Sequence, residues 1–320
     1  MRKRWKVLLV AVSGFLVLFF VAGTVVGNVF YDLALNPHSD KSKVVDNPKN
    51  ELDLGEDPWA KYDEDRAWFD ESGYYRAETQ SFDGLTLSAF VVENPAHPDN
   101  WVFVLHGYNS ASWLMVSWAH AFYDMGFSVI MPDARGCGRS EGDFFGMGWY
   151  DRLDLLDWID GVNENFAPQN IVLFGISMGG ATVMMASGEE LPQNVRAIVE
   201  DCGYTNAKDE FAFQLKQLFG LPAFPIMNFT ETVARVRAGY WLAEADAVKQ
   251  VAKSQTPTLF IHGEKDTFVP AAMVDEVYAA ASCPKEKLVV ADAGHGGSAS
   301  KDEALYWDTI RAFVMPLLAG

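Results

Sequence analysis

From residue 73 onward, short apolar runs alternate with helical patterns, and this alternation limits the fold more than any other feature. Trp101–His106, Phe127–Met131, Ile171–Gly175, Val195–Glu200, Thr258–His262 and Lys287–Ala291 are continuously apolar or nearly so. Such runs suit strands buried on both faces of a parallel sheet. Tyr74–Ser81 and Leu85–Glu93 flank an Asp83-Gly84 turn and read as a pair of strands. Helical patterns at Ser112–Met125, Trp149–Asn163, Met178–Ser187, Ala271–Ala281 and Asp302–Leu317 lie between the runs. Together they predict an α/β fold: a mostly parallel eight-stranded sheet with right-handed crossovers and helices on both faces. Residues 204–255 break the rhythm with helical, aromatic-rich sequence around Leu221-Pro222-Ala223-Phe224-Pro225. An apolar insertion there reads as a cap over the C-terminal edge of the sheet, where such folds bind ligands.

The first 30 residues carry Arg2, Lys3, Arg4 and Lys6 and no acid, while Val7 to Tyr31 holds no charged side chain. As a helix, this uncharged stretch would run about 37 Å, enough to cross a hydrocarbon core of about 30 Å. It predicts a retained transmembrane anchor. A cleaved signal peptide is the rival; its apolar core is usually shorter, and Val21-Ala22-Gly23 matches its cleavage site weakly. The basic flank places the N-terminus in the cytoplasm and the rest of the chain outside the cell membrane.

The chain therefore divides into an anchor at 1–31, an acidic linker or stalk at 32–72 and a catalytic domain at 73–320 with its cap at 204–255. Between Glu51 and Glu71 acids far outnumber bases, as in a solvated, self-repelling segment, and Trp59, Trp68 and Phe69 are placed to dock its end onto the domain. The net charge of −18 repels phosphate backbones and argues against nucleic acid as a partner. Cys137, Cys202 and Cys283 are too scattered for a metal cluster, although a Cys137–Cys202 bridge stays open. Asp151, Asp154, Asp157 and Asp160 recur every third residue and read as an acidic solvent face rather than a metal site.

Chemistry concentrates at Gly175-Ile176-Ser177-Met178-Gly179-Gly180, which follows an apolar run and precedes a helical one. That context is the one a nucleophile elbow requires, a strained turn that lifts the serine hydroxyl to a helix N-terminus. A serine needs a base. Of the six histidines, His295 sits in a glycine-flanked loop after the last run, in Asp292-Ala293-Gly294-His295-Gly296-Gly297. Asp266, in the turn after Thr258–His262, is placed to orient the imidazole, with Asp201 at the end of the preceding run as the rival. The oxyanion donors would be the backbone N–H groups of Met178 and of Tyr108, in His106-Gly107-Tyr108-Asn109, which leaves His106 a structural role.

His106-Gly107, Asp133-Ala134-Arg135-Gly136-Cys137-Gly138-Arg139-Ser140, Gly175–Gly179, Asp266 and His295 fall in an order that resembles the α/β-hydrolase superfamily. The anchor, Asp201-Cys202-Gly203-Tyr204 and Leu221–Pro225 are similar to bacterial membrane-anchored cell-surface hydrolases. The resemblance implies a serine hydrolase without cofactor or metal, while the aromatic cap points to a small-molecule ester with an apolar acyl or aryl group and, near a bilayer, permits a lipid-like one. A proline iminopeptidase-like amidase, with Glu200 or Asp201 anchoring an amine, and a non-catalytic binding protein on the same fold are the alternatives.

Overall fold

The computed structural model describes residues 2–45 and 58–318. Glu51, Asp53, Glu56, Asp57 and the Trp59 side chain, all assigned to the linker, lie outside the described residues.

The eight expected strands form one sheet: β1 (Tyr75–Gln80), β2 (Thr86–Val92), β3 (Asn100–Leu105), β4 (Ser128–Pro132), β5 (Asn170–Ile176), β6 (Val195–Asp201), β7 (Thr258–Gly263) and β8 (Lys285–Val290). Their order is β1-β2-β4-β3-β5-β6-β7-β8, with β1 and β2 antiparallel and β3 to β8 parallel. β4, β5 and β7 are buried along their whole length, which is why they read as runs that are apolar nearly throughout.

Twelve helices complete the described chain. α1 (Arg2–Ala34), α2 (Ser42–Val45) and α3 (Pro58–Glu71) precede the sheet. α4 (Val116–Asp124), α5 (Asp151–Phe166) and α6 (Met178–Ala186) are crossovers. α7 (Ala207–Phe219), α8 (Ala223–Arg237) and the short α9 (Ala247–Val251) lie between β6 and β7, in the stretch expected as a cap. α10 (Ala272–Ala280), α11 (Ser298–Lys301) and α12 (Glu303–Val314) follow.

Both faces of the sheet are covered. On one, Phe122 of α4 and Tyr306 and Ile310 of α12 pack with Val102, Val104 and Phe174. On the other, Leu155, Trp158, Ile159 and Val162 form the buried stripe of α5, spaced as an amphipathic helix requires. Fully burying one such side chain contributes about 1.5–3 kcal/mol.

α1 is long and apolar enough to cross a membrane, and its side chains are largely exposed as far as Val26. Its end is packed onto the body. Gly23 and Gly27 leave a groove for Phe229 of α8: a Cβ at Gly23 would lie 2.2 Å from the Phe229 ring, and one at Gly27 would lie 2.7 Å from its carbonyl carbon. Arg237 pairs with Asp32 at 2.9 Å and stacks over Tyr31 at 4.1 Å. Lys41 is buried and donates to the carbonyls of Asp32 and Leu33 at 2.9 and 2.8 Å, closing the last turn of α1 with a cation where the helix dipole favours one. Burial lowers its pKa to about 8, against the pull of Asp32.

The described parts of the expected stalk are therefore docked on the domain through one side, while Asp63, Glu64, Asp70 and Glu71 stay exposed. Leu35 is fully buried and its carbonyl accepts from Phe145 N–H. In α3, Trp68 stacks on His120 at 4.3 Å and Asp65 accepts from the same ring at 2.7 Å, while Phe69 stacks on Tyr74 at 4.3 Å. Trp68 and Phe69 thus dock as expected.

The acidic face of α5 also departs from expectation. Asp151 and Asp154 are buried. Asp154 receives Nε of the fully buried Arg135 at 2.8 Å, Asp83 receives its Nη1 at 2.9 Å, and Asp151 accepts from Gly148 N–H at 2.7 Å. A spacing of three drifts about 60° round the helix at each step, so Asp151 and Asp154 face inward, Asp154 onto the buried guanidinium, while Asp160 stays exposed as expected.

Candidate active site

The parallel strands end on one edge, and that edge gathers the candidate residues. Ser177 follows β5, Asp266 lies three residues beyond β7, His295 five beyond β8, and Gly107-Tyr108 just beyond β3. Ser177 occupies φ 55°, ψ −114°, a sparsely populated conformation that costs about 1–3 kcal/mol and persists only when its surroundings enforce it. The flanking glycines enforce it. A Cβ at Gly175 would lie 2.2 Å from the Gly179 carbonyl oxygen, and one at Gly179 would lie 2.4 Å from that of Leu105. Ser177 N–H donates to the Asp201 carbonyl at 2.8 Å, tying the turn to β6.

The three side chains form a relay. Ser177 Oγ lies 2.9 Å from His295 Nε2, and His295 Nδ1 lies 2.7 Å from Asp266 Oδ2. All three are buried. Asp266 Oδ1 accepts from Phe268 and Val269 N–H, each at 2.9 Å, which locks the carboxylate. Burial pushes its pKa up, but the His295 charge and its bonds to two histidines outweigh burial and hold it at about 2. A carboxylate so held stays charged and favours an imidazolium on His295.

The chain is similar to known proteins in sequence and in fold. A family model described as serine aminopeptidase, S33, matches residues 96–221. The protein YqkD of Bacillus subtilis is 23% identical over 248 residues, covering 73% of this chain and 81% of that protein. YfhR of Escherichia coli K12 is 26% identical over 250 residues, covering 75% of each. Among solved structures, the esterase Pf2001 of Pyrococcus furiosus aligns with TM-score 0.65 at 22% identity, over 78% of this chain and 92% of its own. Est1E of Butyrivibrio proteoclasticus, with ferulic acid bound, aligns with TM-score 0.59 at 19% identity, over 76% and 100%. The fold is that of the α/β-hydrolase superfamily.

In this structure the rival acid is engaged elsewhere. Asp201 Oδ2 accepts from Tyr306 Oη at 2.9 Å, and its Oδ1 lies 3.4 Å from Ser298 Oγ. It is Asp266 that meets His295. His106 holds the loop after β3: its Nε2 accepts from Ala134 N–H at 3.0 Å, so its Nδ1 carries the proton toward the Gly107 carbonyl at 2.8 Å. That loop lies against the serine, since a Cβ at Gly107 would sit 3.4 Å from Ser177 Cβ. Ser177 stands at the N-cap of α6, whose first residue is Met178.

Sequence reasoning missed His262, read only as a strand end. Its Nε2 lies 3.2 Å from Asp266 Oδ2 and 3.0 Å from the Val269 carbonyl, so Asp266 is held between two histidines. Burial opposes charge on His262, but the bond to Asp266 prevails and its pKa rises to about 8. The signal available was the four-residue spacing from Asp266 across the Gly263-Glu264-Lys265 turn.

The three cysteines are free and buried. Cys202 offers a sulfur within 4.8 Å of ligand atoms of Asp266 and His295. Those two are engaged with each other, and burial pushes the Cys202 thiol well above its usual range, against the thiolate a metal would need.

An apolar pocket reaches Ser177, lined by Tyr108, Met147, Leu215, Met227 and Phe268 and by Phe30, Leu33 and Ala34 of α1. The α1 contribution has no local signal, because the helix end meets the cap only in the folded chain. Glu210 borders the cavity, whereas Glu200 and Asp201 do not.

Proposed function

We propose that the chain is a membrane-anchored serine hydrolase that cleaves carboxylic esters outside the cytoplasm. The carrying observation is the buried contact series Ser177 Oγ–His295 Nε2–His295 Nδ1–Asp266 Oδ2, opening on an apolar cavity. Ser177 Oγ attacks the ester carbonyl while His295 Nε2 takes its proton, and Asp266 steadies the imidazolium. The N–H groups of Met178 and Tyr108 stabilise the oxyanion. Collapse expels the alcohol with the proton from His295, leaving an acyl-Ser177. Water, deprotonated by the same imidazole, releases the acid and restores the serine. α1 and its basic flank support a retained anchor with the catalytic domain on the outer side.

A peptidase reading has the S33 family description behind it, and it needs an acid to hold a free amine. Glu200 and Asp201 lie away from the cavity. Burial pushes Glu210 up to about 8, so it is chiefly a neutral acid at pH 7 and a weak anchor for an ammonium group. This favours the ester reading. Fluorophosphonate labelling of the full-length protein, lost in Ser177→Ala, tests the chemistry, and paired aryl-ester and aminoacyl-anilide substrates test the bond. Failure of the wild type to label would leave a binding protein on a hydrolase fold.

A further inference from the structure

We propose that the substrate carries a single long acyl chain, that the chain lies in the slot walled by the end of α1, and that it enters from the bilayer. This rests on the hydrolase reading and supplies its substrate class. Ser177 lines the slot, and its walls include Phe30 and Leu33 of α1 with Leu215, Phe219 and Met227. The lining is mostly apolar; of its polar side chains, Gln214 donates through Nε2 to Glu210 and to the Phe268 carbonyl, while Tyr204 Oη, Glu210 Oε2 and Gln214 Oε1 are buried without a hydrogen-bond partner. A methylene chain is stabilised against the apolar part of this lining, which is most of it.

The entrance is set by how the cap meets α1. Arg237, Asp32 and Tyr31 form a polar and aromatic cluster of the kind found at a membrane surface. Phe229 sits deeper, on Gly23 and Gly27, with its ring 5.5 Å from Phe19 and 6.1 Å from Phe20. Gly23 is about 12 Å down the helix from Tyr31, and Phe19 is the midpoint of the uncharged stretch. The start of α8 thus runs beside the membrane-spanning part of α1. Near it Leu221 and Phe224 are exposed, Phe224 at 75%, and Phe219 stands half-exposed at the slot with its ring 5.6 Å from Phe30. An apolar tip continuous with a spanning helix is solvated by lipid, so the slot beside it opens on acyl chains.

The test uses the full-length chain in lipid nanodiscs, with aryl esters of two to sixteen acyl carbons. The expected kcat/KM rises about three- to fourfold per added methylene until the slot is full. Leu33→Trp should cut the dodecanoate-to-acetate ratio by about tenfold or more, and Phe30→Ala should move the optimum to longer chains. An acetate optimum, or a ratio unmoved in both variants, overturns the proposal. Binding of a dansyl-labelled fatty acid to Ser177→Ala reads the slot without the chemistry. Fluorophosphonate labelling of Ser177 with no such binding overturns the slot and leaves the hydrolase. Binding weakened by Leu33→Trp, with no labelling, supports the slot and removes the hydrolase. For entry, monooleoylglycerol in the same vesicles as the protein should turn over faster than in separate vesicles, and equal rates overturn entry from the bilayer.

Discussion

Tyr108 Oη donates a 2.7 Å hydrogen bond to the carbonyl oxygen of Ala34, the last residue of α1. The loop proposed to bind the oxyanion is thereby fastened to the end of the apolar helix. Tyr108→Phe leaves a part-buried carbonyl without this donor and should cost about 1 kcal/mol. Ester kinetics should show kcat falling more than KM rises, because the loop stabilises the transition state rather than the ground state. A variant with unchanged kcat would separate the helix end from the chemistry.

Two carboxylates compete for the proposed role of orienting acid, and Asp266 is the one in contact with His295. Asp266→Asn should lower kcat by about 10⁴-fold, since the amide cannot stabilise the imidazolium and invites the wrong tautomer. Asp201→Asn can still accept from Tyr306, so its loss of turnover should be far smaller. The reverse ranking would move the acid to the end of β6.

Glu200 is fully buried, with Oε2 accepting from Gly203 N–H at 2.9 Å. Burial raises its pKa from the ordinary 4.5 to about 8, opposed only in part by His262 and that N–H. The unfolded chain loses this proton near pH 4.5 and the folded chain keeps it to about 8. Its stabilising share is therefore complete below about pH 4.5 and declines as pH rises to 8. Glu200→Gln keeps the acceptor and should raise Tm at pH 8 by about 2 °C or more, with little change at pH 5. Thermal melts at the two pH values would refute this if the gain were equal at both.

Arg135 is fully buried between Asp83 and Asp154. Arg135→Ala strands the buried Asp154 carboxylate and should cost about 3–5 kcal/mol, measurable as a lower urea midpoint. A midpoint within error of the wild type would mean that solvent reaches the pair.

What was legible in the sequence follows physical range. β4, β5 and β7 are buried on both faces, so they are written as runs that are apolar nearly throughout. The turn at Ser177 admits only glycine at 175 and 179, so the nucleophile announces itself locally. Asp154 was misread because Arg135, which turns it inward, belongs to the loop after β4 and leaves no periodic trace. Leu35 and Lys41 were read as linker because their partners are the Phe145 backbone and the carbonyls that end α1. His262 was passed over because its value depends on a carboxylate whose direction only the folded turn supplies.

Phe229 seated on Gly23 and Gly27 changes what kind of device the anchored reading describes. A catalytic head on a slack tether searches a hemisphere above the membrane and meets whatever diffuses through it. A head clamped to its own anchor keeps one height and one orientation. Its search is then two-dimensional, and its rate follows the surface density of substrate in the leaflet rather than any concentration in the surrounding water.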